Sequence, residues 1–274
     1  MKSSCLLAAL LAASSAVADT VTLTSVADNT IIQDASGSLS AGAAQFFGAG
    51  RLPAASGGTI RRGVVRFDLS AIPAGATITS VTLRLNCSNA GTASQQTISI
   101  KRVLASWGEG PSAATTDAGA PSQVPDATWL HRFYSSTMWA AAGGDFSAAV
   151  SASRAVTTTG LYLWNSTPQL VADVQSMVGS PAGNFGWCVL GEETVADTLK
   201  RFDTREATSA ASRPQLTVIY LPPTVFDLTG DNRVNSQDIA VLLSAWGTAG
   251  PGDFTGDGVV SSPDVAALLS AWTG

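Results

Sequence analysis

The stretch Val81-Thr82-Leu83-Arg84-Leu85-Asn86-Cys87 decides the fold of most of this chain. Its odd-numbered residues are apolar and its even-numbered residues are polar. A period of two indicates a β-strand with one face toward a core, because successive side chains of a strand point to opposite sides. The pattern therefore predicts a half-buried strand, and it predicts that Cys87 faces the core together with the apolar residues.

Similar short stretches recur on both sides of this one, between residues 19 and 220. Segments rich in Gly, Pro, Ser, Asn and Asp separate them, and this arrangement is typical of all-β domains. We therefore predict that residues 19–220 form a β-sandwich of the jelly-roll type. The predicted strands cover residues 21–24, 63–67, 78–85, 97–100, 161–164, 186–190 and 216–220.

Two segments of this domain do not follow the strand pattern. Residues 168–178 are predicted to form a helix, because Leu170, Val174 and Met177 recur at roughly helical spacing. Residues 105–160 are rich in Ala, Ser, Thr and Gly and show no clear strand. A stretch of that length is usually a set of packed or functional loops, and we predict such loops here.

After a short linker at residues 221–226, the chain repeats itself with a period of 26 residues. The two copies, 227–238 and 253–264, are each twelve residues long. Carboxylates occupy positions 1, 5 and 12, hydroxyl or amide oxygens occupy positions 3 and 9, and the backbone carbonyl of position 7 completes the set. Because Ca²⁺ prefers six to eight oxygen ligands, this spacing predicts one Ca²⁺ ion in each loop. The predicted ligands are Asp227, Thr229, Asp231, Arg233, Asn235 and Asp238 in the first loop, and Asp253, Thr255, Asp257, Val259, Ser261 and Asp264 in the second.

Each loop also carries signals for its turn and for a following helix. Position 6 requires a sharp turn, which Gly258 provides and Asn232 tolerates. Behind the loops, two apolar stripes recur at helical spacing, and we predict that they pack against each other and bury each other. Since neither repeat has a core of its own, metal binding is expected to be coupled to folding. The stripes are Ile239, Leu242, Leu243 and Trp246, and then Val265, Leu268, Leu269 and Trp272.

Charge is concentrated in this same segment. The residues from 227 onward include six Asp and one Arg, which account for the whole formal net charge of −5. This distribution favours cation binding, and no basic patch indicates a nucleic-acid partner. No apolar run after the N-terminal region approaches the roughly 20 residues that a membrane span requires.

The first 18 residues have the three parts of a secretory signal peptide. Lys2 provides the positive start, residues 6–13 are apolar, and Ala16-Val17-Ala18 matches a cleavage site. We therefore expect a secreted protein, located outside the cell or at the cell surface. Cys87 and Cys188 remain in the mature chain, as either a disulfide or two buried thiols.

The repeats resemble a known family. Two loops with Asp at position 12, each followed by an apolar helix, make residues 227–274 similar to a type I dockerin. The resemblance implies a small all-α domain with two EF-hand-like calcium loops, and a cohesin-like or other surface protein as its partner. Thr229 and Thr255 stand where dockerins commonly have Asn or Asp, which predicts weaker Ca²⁺ binding.

Several segments of residues 19–220 also carry a resemblance. They are Ala27-Asp28-Asn29-Thr30, Arg66-Phe67-Asp68-Leu69-Ser70, Trp107-Gly108-Glu109-Gly110, Asp126-Ala127-Thr128-Trp129, Gly143-Gly144-Asp145-Phe146, 202–207 and 213–216. In this order they are similar to the DNRLRE domain, also classed as carbohydrate-binding module family 96. That resemblance implies a β-sandwich from an exported protein, with polysaccharides, including acidic alginate-like polymers, among its ligands.

Sugar recognition requires exposed aromatic faces and polar groups, and an acidic polymer also requires cations. The candidate ligand-binding residues are Trp107, Trp129, Arg132, Trp139, Arg201 and Arg205. Aromatic residues of a β domain are more often part of its core, so that alternative stays open for the tryptophans. Asp126, Asp145 and Glu109 are candidates for a further structural Ca²⁺ in the β domain, or for turn caps.

Three classes of function remain open. We favour a non-catalytic carbohydrate-binding module, associated with extracellular polysaccharide binding or breakdown. The alternatives are a structural surface protein or adhesin without a sugar ligand, and a polysaccharide hydrolase or lyase that uses Glu109 with Asp126, or Glu192 with Glu193. The single histidine, His131, and the lack of a nucleophile-elbow pattern argue against a serine hydrolase.

Overall fold

The computed structural model describes residues 18–91, 94–231 and 233–273. The predicted signal peptide, residues 1–18, lies outside these residues except for Ala18, and so does Asn232 of the first loop. The described chain divides into two compact units. The barrel unit comprises residues 20–72 and 78–220, and the C-terminal unit comprises 73–77 and 221–273 together with residues 18 and 19.

Fourteen strands and three α-helices lie within the described residues. The helices are α1 (Pro168–Gly179), α2 (Ser236–Ser244) and α3 (Ser262–Ser270). The strands are β1 (Asp19–Ile32), β2 (Leu39–Ser40), β3 (Phe46–Arg51), β4 (Ile60–Phe67), β5 (Thr77–Asn89), β6 (Gln96–Arg102), β7 (Ala120–Pro121), β8 (His131–Phe133), β9 (Thr137–Met138), β10 (Ala152–Val156), β11 (Gly160–Trp164), β12 (Trp187–Leu190), β13 (Lys200–Asp203) and β14 (Gln215–Leu221).

Six of these strands close into a barrel. The order is β1, β14, β5, β13, β3, β4, and β4 then pairs with β1 in antiparallel register. Beyond β4 the sheet continues through β12, β6 and β10, while β11 pairs with β5. The predicted jelly-roll sandwich was therefore wrong, because the sheet closes on itself instead of forming two open sheets. Closure removes the exposed edges that open sheets must protect.

The second part of the predicted fold class, a small all-α dockerin-like domain, was also wrong. The described chain is 33% strand and 15% helical, and no such domain is evident in it. The C-terminal unit contains only two helices of nine residues each. Its loops and turns occupy more of the chain than its helices do, because the acidic segments fold as turns on their own hydrogen bonds.

The alternation in β5 and the helix at residues 168–178, both predicted from residue periodicity, agree with the structure. Val81, Leu83 and Leu85 of β5 are fully buried and Cys87 is 1% exposed, so the alternation that we used for this strand is confirmed. The helix predicted at residues 168–178 is confirmed as α1. Leu170, one of the apolar residues that predicted it, is buried. Thr167 caps this helix, because its side chain accepts a hydrogen bond from the N–H of Leu170.

The barrel interior is filled by large side chains that require small neighbours. Phe47 of β3 and Phe202 of β13 are both fully buried, and their ring centres lie 5.7 Å apart. Gly63 of β4 makes room for Phe47, since a Cβ atom at that position would lie 2.3 Å from the ring. Close packing of this kind explains why a glycine stands in the middle of a buried strand.

The long segment between β6 and β10 packs over one face of this sheet. Trp107 and Trp139 join Ile31 of β1 and Val64 of β4 in a single apolar cluster. Asn29 fixes the layer to β1, because its side-chain amide donates to the backbone carbonyl of Glu109 at 2.6 Å. These loops are thus a packed layer, which is one of the two alternatives that composition left open.

Cys87 and Cys188 are both buried free thiols. The disulfide that we considered is therefore not formed in this structure. Cys87 lies on β5 opposite Phe202 of β13, whereas Cys188 lies on β12 between β4 and β6, so the two belong to different neighbourhoods of the sheet. Burial raises the pKa of Cys87 to about 11 and that of Cys188 to about 12, which keeps both protonated at neutral pH.

Candidate functional site

The three candidate tryptophans do not form an open stacking platform. Trp107 and Trp139 are only 4% and 5% exposed. Their indole N–H groups donate to backbone carbonyls at 2.8 and 2.9 Å. Trp129 is half-buried, and the guanidinium carbon of Arg62 lies 4.8 Å from the centre of its ring. A sugar ring would have to displace the residues that cover Trp107 and Trp139 before it could stack on either.

The candidate arginines are engaged with groups of the same chain. Arg132 donates to the hydroxyl of Ser106 at 2.7 Å. Arg201 donates to both carboxylate oxygens of Asp117, at 2.6 and 2.7 Å, and its guanidinium lies 4.2 Å from the ring centre of Phe46. Arg205 forms ion pairs with neighbouring glutamates, which are described below.

Arg201 borders an open cavity that the sequence did not indicate. The cavity has a volume of about 520 Å³, and charged, polar and apolar side chains line it. Its lining comes from four separate segments of the chain, so no local motif could have announced it. The polar lining residues are Gln33, Asp34, Ser56, Thr59, Arg61, Thr116, Asp117 and Arg201.

The loop 227–238 brings its three aspartates together. Ligand atoms of Asp227, Asp231 and Asp238 all lie within 4.8 Å of one another. Asp227 Oδ1 accepts hydrogen bonds from the N–H of Gly230 and of Asp231, at 2.7 and 3.2 Å. Asp231 Oδ1 accepts from the N–H of Arg233 at 2.9 Å. The loop thus curls around its first carboxylate, as a cation-binding loop requires.

The loop 253–264 repeats this geometry. Ligand atoms of Asp253, Asp257 and Asp264 also lie within 4.8 Å of one another. Asp253 accepts from the N–H of Gly256 at 2.8 Å and from that of Gly258 at 2.9 Å. Gly258 has a φ of 89°, so the sharp turn predicted at position 6 is confirmed in this copy.

The last aspartate of each loop joins the loop to its helix. Asp238 and Asp264 are fully buried at the third helical position, and each completes a capping box with the residue before its helix. Asp264 accepts from the N–H of Thr255 at 2.9 Å and from that of Ser261 at 2.8 Å. The hydroxyl of Thr255 donates to Asp264 Oδ1 at 3.0 Å.

Both of these aspartates are held in the charged form. Burial opposes the charge on Asp264, but hydrogen bonds from Thr255 and Ser261 outweigh burial and lower its pKa to about 2. Burial likewise opposes the charge on Asp238, and hydrogen bonds from its loop lower its pKa. A carboxylate must be ionised to bind a metal ion, so both are ready to do so at neutral pH.

The two repeats interlock through their backbones. Gly247, after α2, donates to the carbonyl of Val260 at 2.9 Å, and Thr273, after α3, donates to the carbonyl of Val234 at 3.0 Å. Val234, Leu242, Val260 and Leu268 form the buried core of this unit. Each loop is therefore held by the segment that follows the helix of the other repeat.

The predicted apolar stripes are only half buried, which corrects our expectation. Leu242 and Leu268 are fully buried, but Leu243 and Trp246 are 51% and 50% exposed. Their counterparts Leu269 and Trp272 are 37% and 36% exposed. Two helices of nine residues bury only one narrow side of each other. Ile239 and Val265 still pack partly against the core, so only the outer half of each stripe faces solvent. We call Leu243, Trp246, Leu269 and Trp272 the exposed apolar set.

The other candidates have structural contacts. Asp126 accepts from the N–H of Gln123 at 2.6 Å, and Asp145 accepts from the N–H groups of residues 140 and 141. Within the described residues, Glu109 clusters with Asp28 and Glu206 rather than with these two. His131 lies 3.1 Å from the hydroxyl of Thr128 through its Nδ1 atom, inside the packed loop layer.

In comparisons with known proteins, no protein-family model matches the chain, and no curated protein matches it significantly. The two family resemblances therefore stay predictions.

Among the helices of residues 18–91, 94–231 and 233–273, none is both long enough and apolar enough to cross a bilayer.

Proposed function

We propose that this chain is a non-catalytic binding protein whose C-terminal unit binds two Ca²⁺ ions, one in each of the loops 227–238 and 253–264. The observation that carries the proposal is one geometry that occurs twice. Each loop gathers three aspartates within 4.8 Å, and the last of them is buried and charged. Two unrelated surface turns would not reproduce the same carboxylate cluster 26 residues apart.

The donor set favours Ca²⁺ over other cations. All predicted side-chain ligands of the two loops bind through oxygen. Zinc and copper prefer nitrogen and sulfur ligands, so the loops do not suit these metals. Oxygens that share one Ca²⁺ ion lie at about 2.3–2.6 Å from it, so they are at most roughly 5 Å apart, as in both clusters. Mg²⁺ demands a more rigid octahedron and keeps several of its waters.

We further propose that the protein acts outside the cell. The features of residues 1–18 support export. A hydroxyl at position 3 in place of a carboxylate or amide predicts weak sites. Extracellular calcium modules work with dissociation constants of about 10⁻⁴–10⁻³ M, and such sites would be filled there but not in the cytosol.

The exposed apolar set supports docking of a protein partner, such as a cohesin-like or other surface protein. Two large aromatic residues in equivalent positions of the two repeats are unusual on a free surface, and Trp is enriched where partners bind. Bound Ca²⁺ would hold the helices that present this set. The proposal therefore couples calcium binding to docking.

Replacing both Trp246 and Trp272 by Ala is expected to abolish docking and leave Ca²⁺ binding within about twofold. Each exposed Trp anchor is worth about 2 kcal/mol or more in an interface, so the pair, at about 4 kcal/mol, corresponds to a loss of roughly 1,000-fold. The measurement is a pull-down of extracellular proteins by the full chain, with Ca²⁺ and with EDTA. Leu161→Ala, which removes an exposed side chain of β11, is the control. The same captured proteins in EDTA, or with the double variant, would contradict the proposal.

Carbohydrate binding is the second candidate function, and the cavity beside Arg201 is the observation that favours it. Its volume of about 520 Å³ suits a small number of sugar rings. Its amide, hydroxyl and charged groups suit sugar hydroxyls and carboxylates. We propose Arg201 and Asp117, instead of the buried tryptophans, as the residues beside which a sugar ligand binds.

Replacing Arg201 by Gln is expected to weaken retention on acidic polysaccharide by at least about tenfold, because it removes a positive charge from the cavity and leaves the Asp117 carboxylate without its ion-pair partner. Affinity electrophoresis in gels with and without alginate measures the effect. Arg154→Gln, an exposed arginine of β10 outside this cavity, is the matched control and should bind normally. Equal retardation of the two variants would exclude the cavity as the binding site. Release of sugar fragments would show that the protein is an enzyme instead of a binding protein.

A further inference from the structure

A third acidic cluster lies in the barrel unit. Asp28 belongs to β1, Glu109 to the loop between β6 and β7, and Glu206 to the segment between β13 and β14. Ligand atoms of these three residues lie within 4.8 Å of one another. The members come from segments that are distant along the chain, so the cluster exists only because the barrel and its loop layer fold together.

Two oxygens of this cluster are buried without a hydrogen-bond donor. Asp28 is 1% exposed, and its Oδ2 accepts from the hydroxyl of Ser25 at 3.2 Å and from the N–H of Arg205 at 2.9 Å. Its Oδ1, however, is buried and has no partner, and the same is true of Glu206 Oε2. A buried acceptor is normally satisfied, so these two oxygens indicate that a proton or a cation belongs between them.

The charges of the cluster do not balance without an ion. Arg205 contributes the one positive charge, through ion pairs of 2.6 Å with Glu109 and 2.9 Å with Glu206. Three carboxylates and one guanidinium leave a formal charge of −2, which a single divalent cation would neutralise. Isolated charges are costly in a partly buried place unless they are paired or coordinate a metal.

The pKa values of the cluster agree with this shortage of positive charge. Burial, together with the neighbouring Glu206 and Glu109, raises the pKa of Asp28 well above its usual value. Burial also raises the pKa of Glu206, although the charge of Arg205 opposes the shift, and the neighbouring Glu109 adds to it.

We propose that Asp28, Glu109 and Glu206 form a further site for a hard divalent cation, with Ca²⁺ as the ion that fits an all-oxygen set. The ion would tie β1, the loop after β6 and the segment after β13 to one point. We assign the ion a structural role, because Asp28 is 1% exposed and the three ligands come from separate segments of the chain. The site is independent of the C-terminal loops and stands or falls separately from them.

The test uses the full chain with Asp238→Asn and Asp264→Asn, so that the loops no longer contribute. In this background, calorimetry with Ca²⁺ alone should detect one remaining ion. At a free Ca²⁺ concentration a hundred times the dissociation constant, the unfolding temperature of the barrel unit should rise by about 5–10 °C. Adding Glu206→Gln should weaken the remaining site by at least about tenfold, because a charged ligand is removed.

A further variant distinguishes a bound ion from a proton shared between Asp28 and Glu206. Asp28→Asn supplies an amide donor to the buried oxygen of Glu206. If a shared proton lies between the two carboxyl groups, this variant stabilises the barrel unit at pH 8, and Ca²⁺ has no effect on the stability of any variant. That result would overturn the proposal, as would a background protein that binds no Ca²⁺. Asp68→Asn, an exposed turn carboxylate, is the control and should keep the Ca²⁺ response. Loss of the response in Glu206→Gln but not in Asp68→Asn would support the site.

Discussion

Replacing Asp264 by Ala is expected to lower the number of bound Ca²⁺ ions by one and to loosen the whole C-terminal unit. Asp264 is the one carboxylate of its loop that is fully buried, and it joins the loop to α3 through the N–H of Thr255 and of Ser261. Without it the ion loses a ligand, the helix loses its capping box, and two N–H groups lose their acceptor. Asp238→Ala should have the same effect on the first loop.

The remaining loop should also bind more weakly, because the repeats share backbone hydrogen bonds through Val234 and Val260. Equilibrium dialysis measures the stoichiometry, and limited proteolysis measures the loosening of residues 221–273. Ser262→Ala is the matched control, since Ser262 is exposed, stands two residues away in the same helix and makes no predicted contact with the ion. Unchanged stoichiometry in Asp264→Ala would exclude this loop as a calcium site.

Replacing Trp164 by Ala is expected to lower the free energy of unfolding of the barrel unit by about 3–5 kcal/mol. Trp164 is fully buried at the end of β11 and meets Phe202 of β13 edge-to-face at 5.8 Å. Its indole N–H donates to the carbonyl of Ile98 on β6 at 2.9 Å. One side chain thus joins three strands, and its removal leaves a cavity and takes one hydrogen-bond donor from the carbonyl of Ile98.

Denaturant unfolding followed by circular dichroism measures this loss. Leu163→Ala is the matched control, because Leu163 is the preceding residue of the same strand and is 45% exposed. It should cost less than about 1 kcal/mol. Trp164→Phe should fall between the two, since it keeps an aromatic ring but loses the N–H donor. Equal effects of the Trp164→Ala and Leu163→Ala variants would contradict the packing described for β11.

Local periodicity was enough to find the main strands but not to arrange them. Each of the seven predicted strands overlaps an observed strand, because each shows alternation or a β-branched run, and only Gly186 falls outside its strand. Two strands of the barrel, β3 and β13, were missed, and so was β10, which lies in the stretch 105–160 that we predicted to form loops. The pattern of β13 is short and begins with the buried Lys200. Closure of the barrel was missed too, since it depends on β1 pairing with both β14 and β4. Nothing within β1 itself announces two partners.

The candidate sites divide in the same way. Ligand spacing along the chain located the aspartate clusters of the C-terminal loops, because all their members lie within twelve residues. The Asp28 cluster and the cavity at Arg201 were invisible, because their members come together only through the barrel. The candidate tryptophans failed as a platform for a related reason: aromatic composition does not say which face of a loop is covered.

The claim that the loops 227–238 and 253–264 each bind Ca²⁺ is tested most directly by amide chemical shifts of the full, isotope-labelled chain during a Ca²⁺ titration. If each loop binds an ion, large changes are expected at residues 227–238 and 253–264, among them the N–H of Gly258, and they should saturate below about 10 mM Ca²⁺ and reverse with EDTA. Changes confined to the barrel unit, or none in the loops at that concentration, would contradict it.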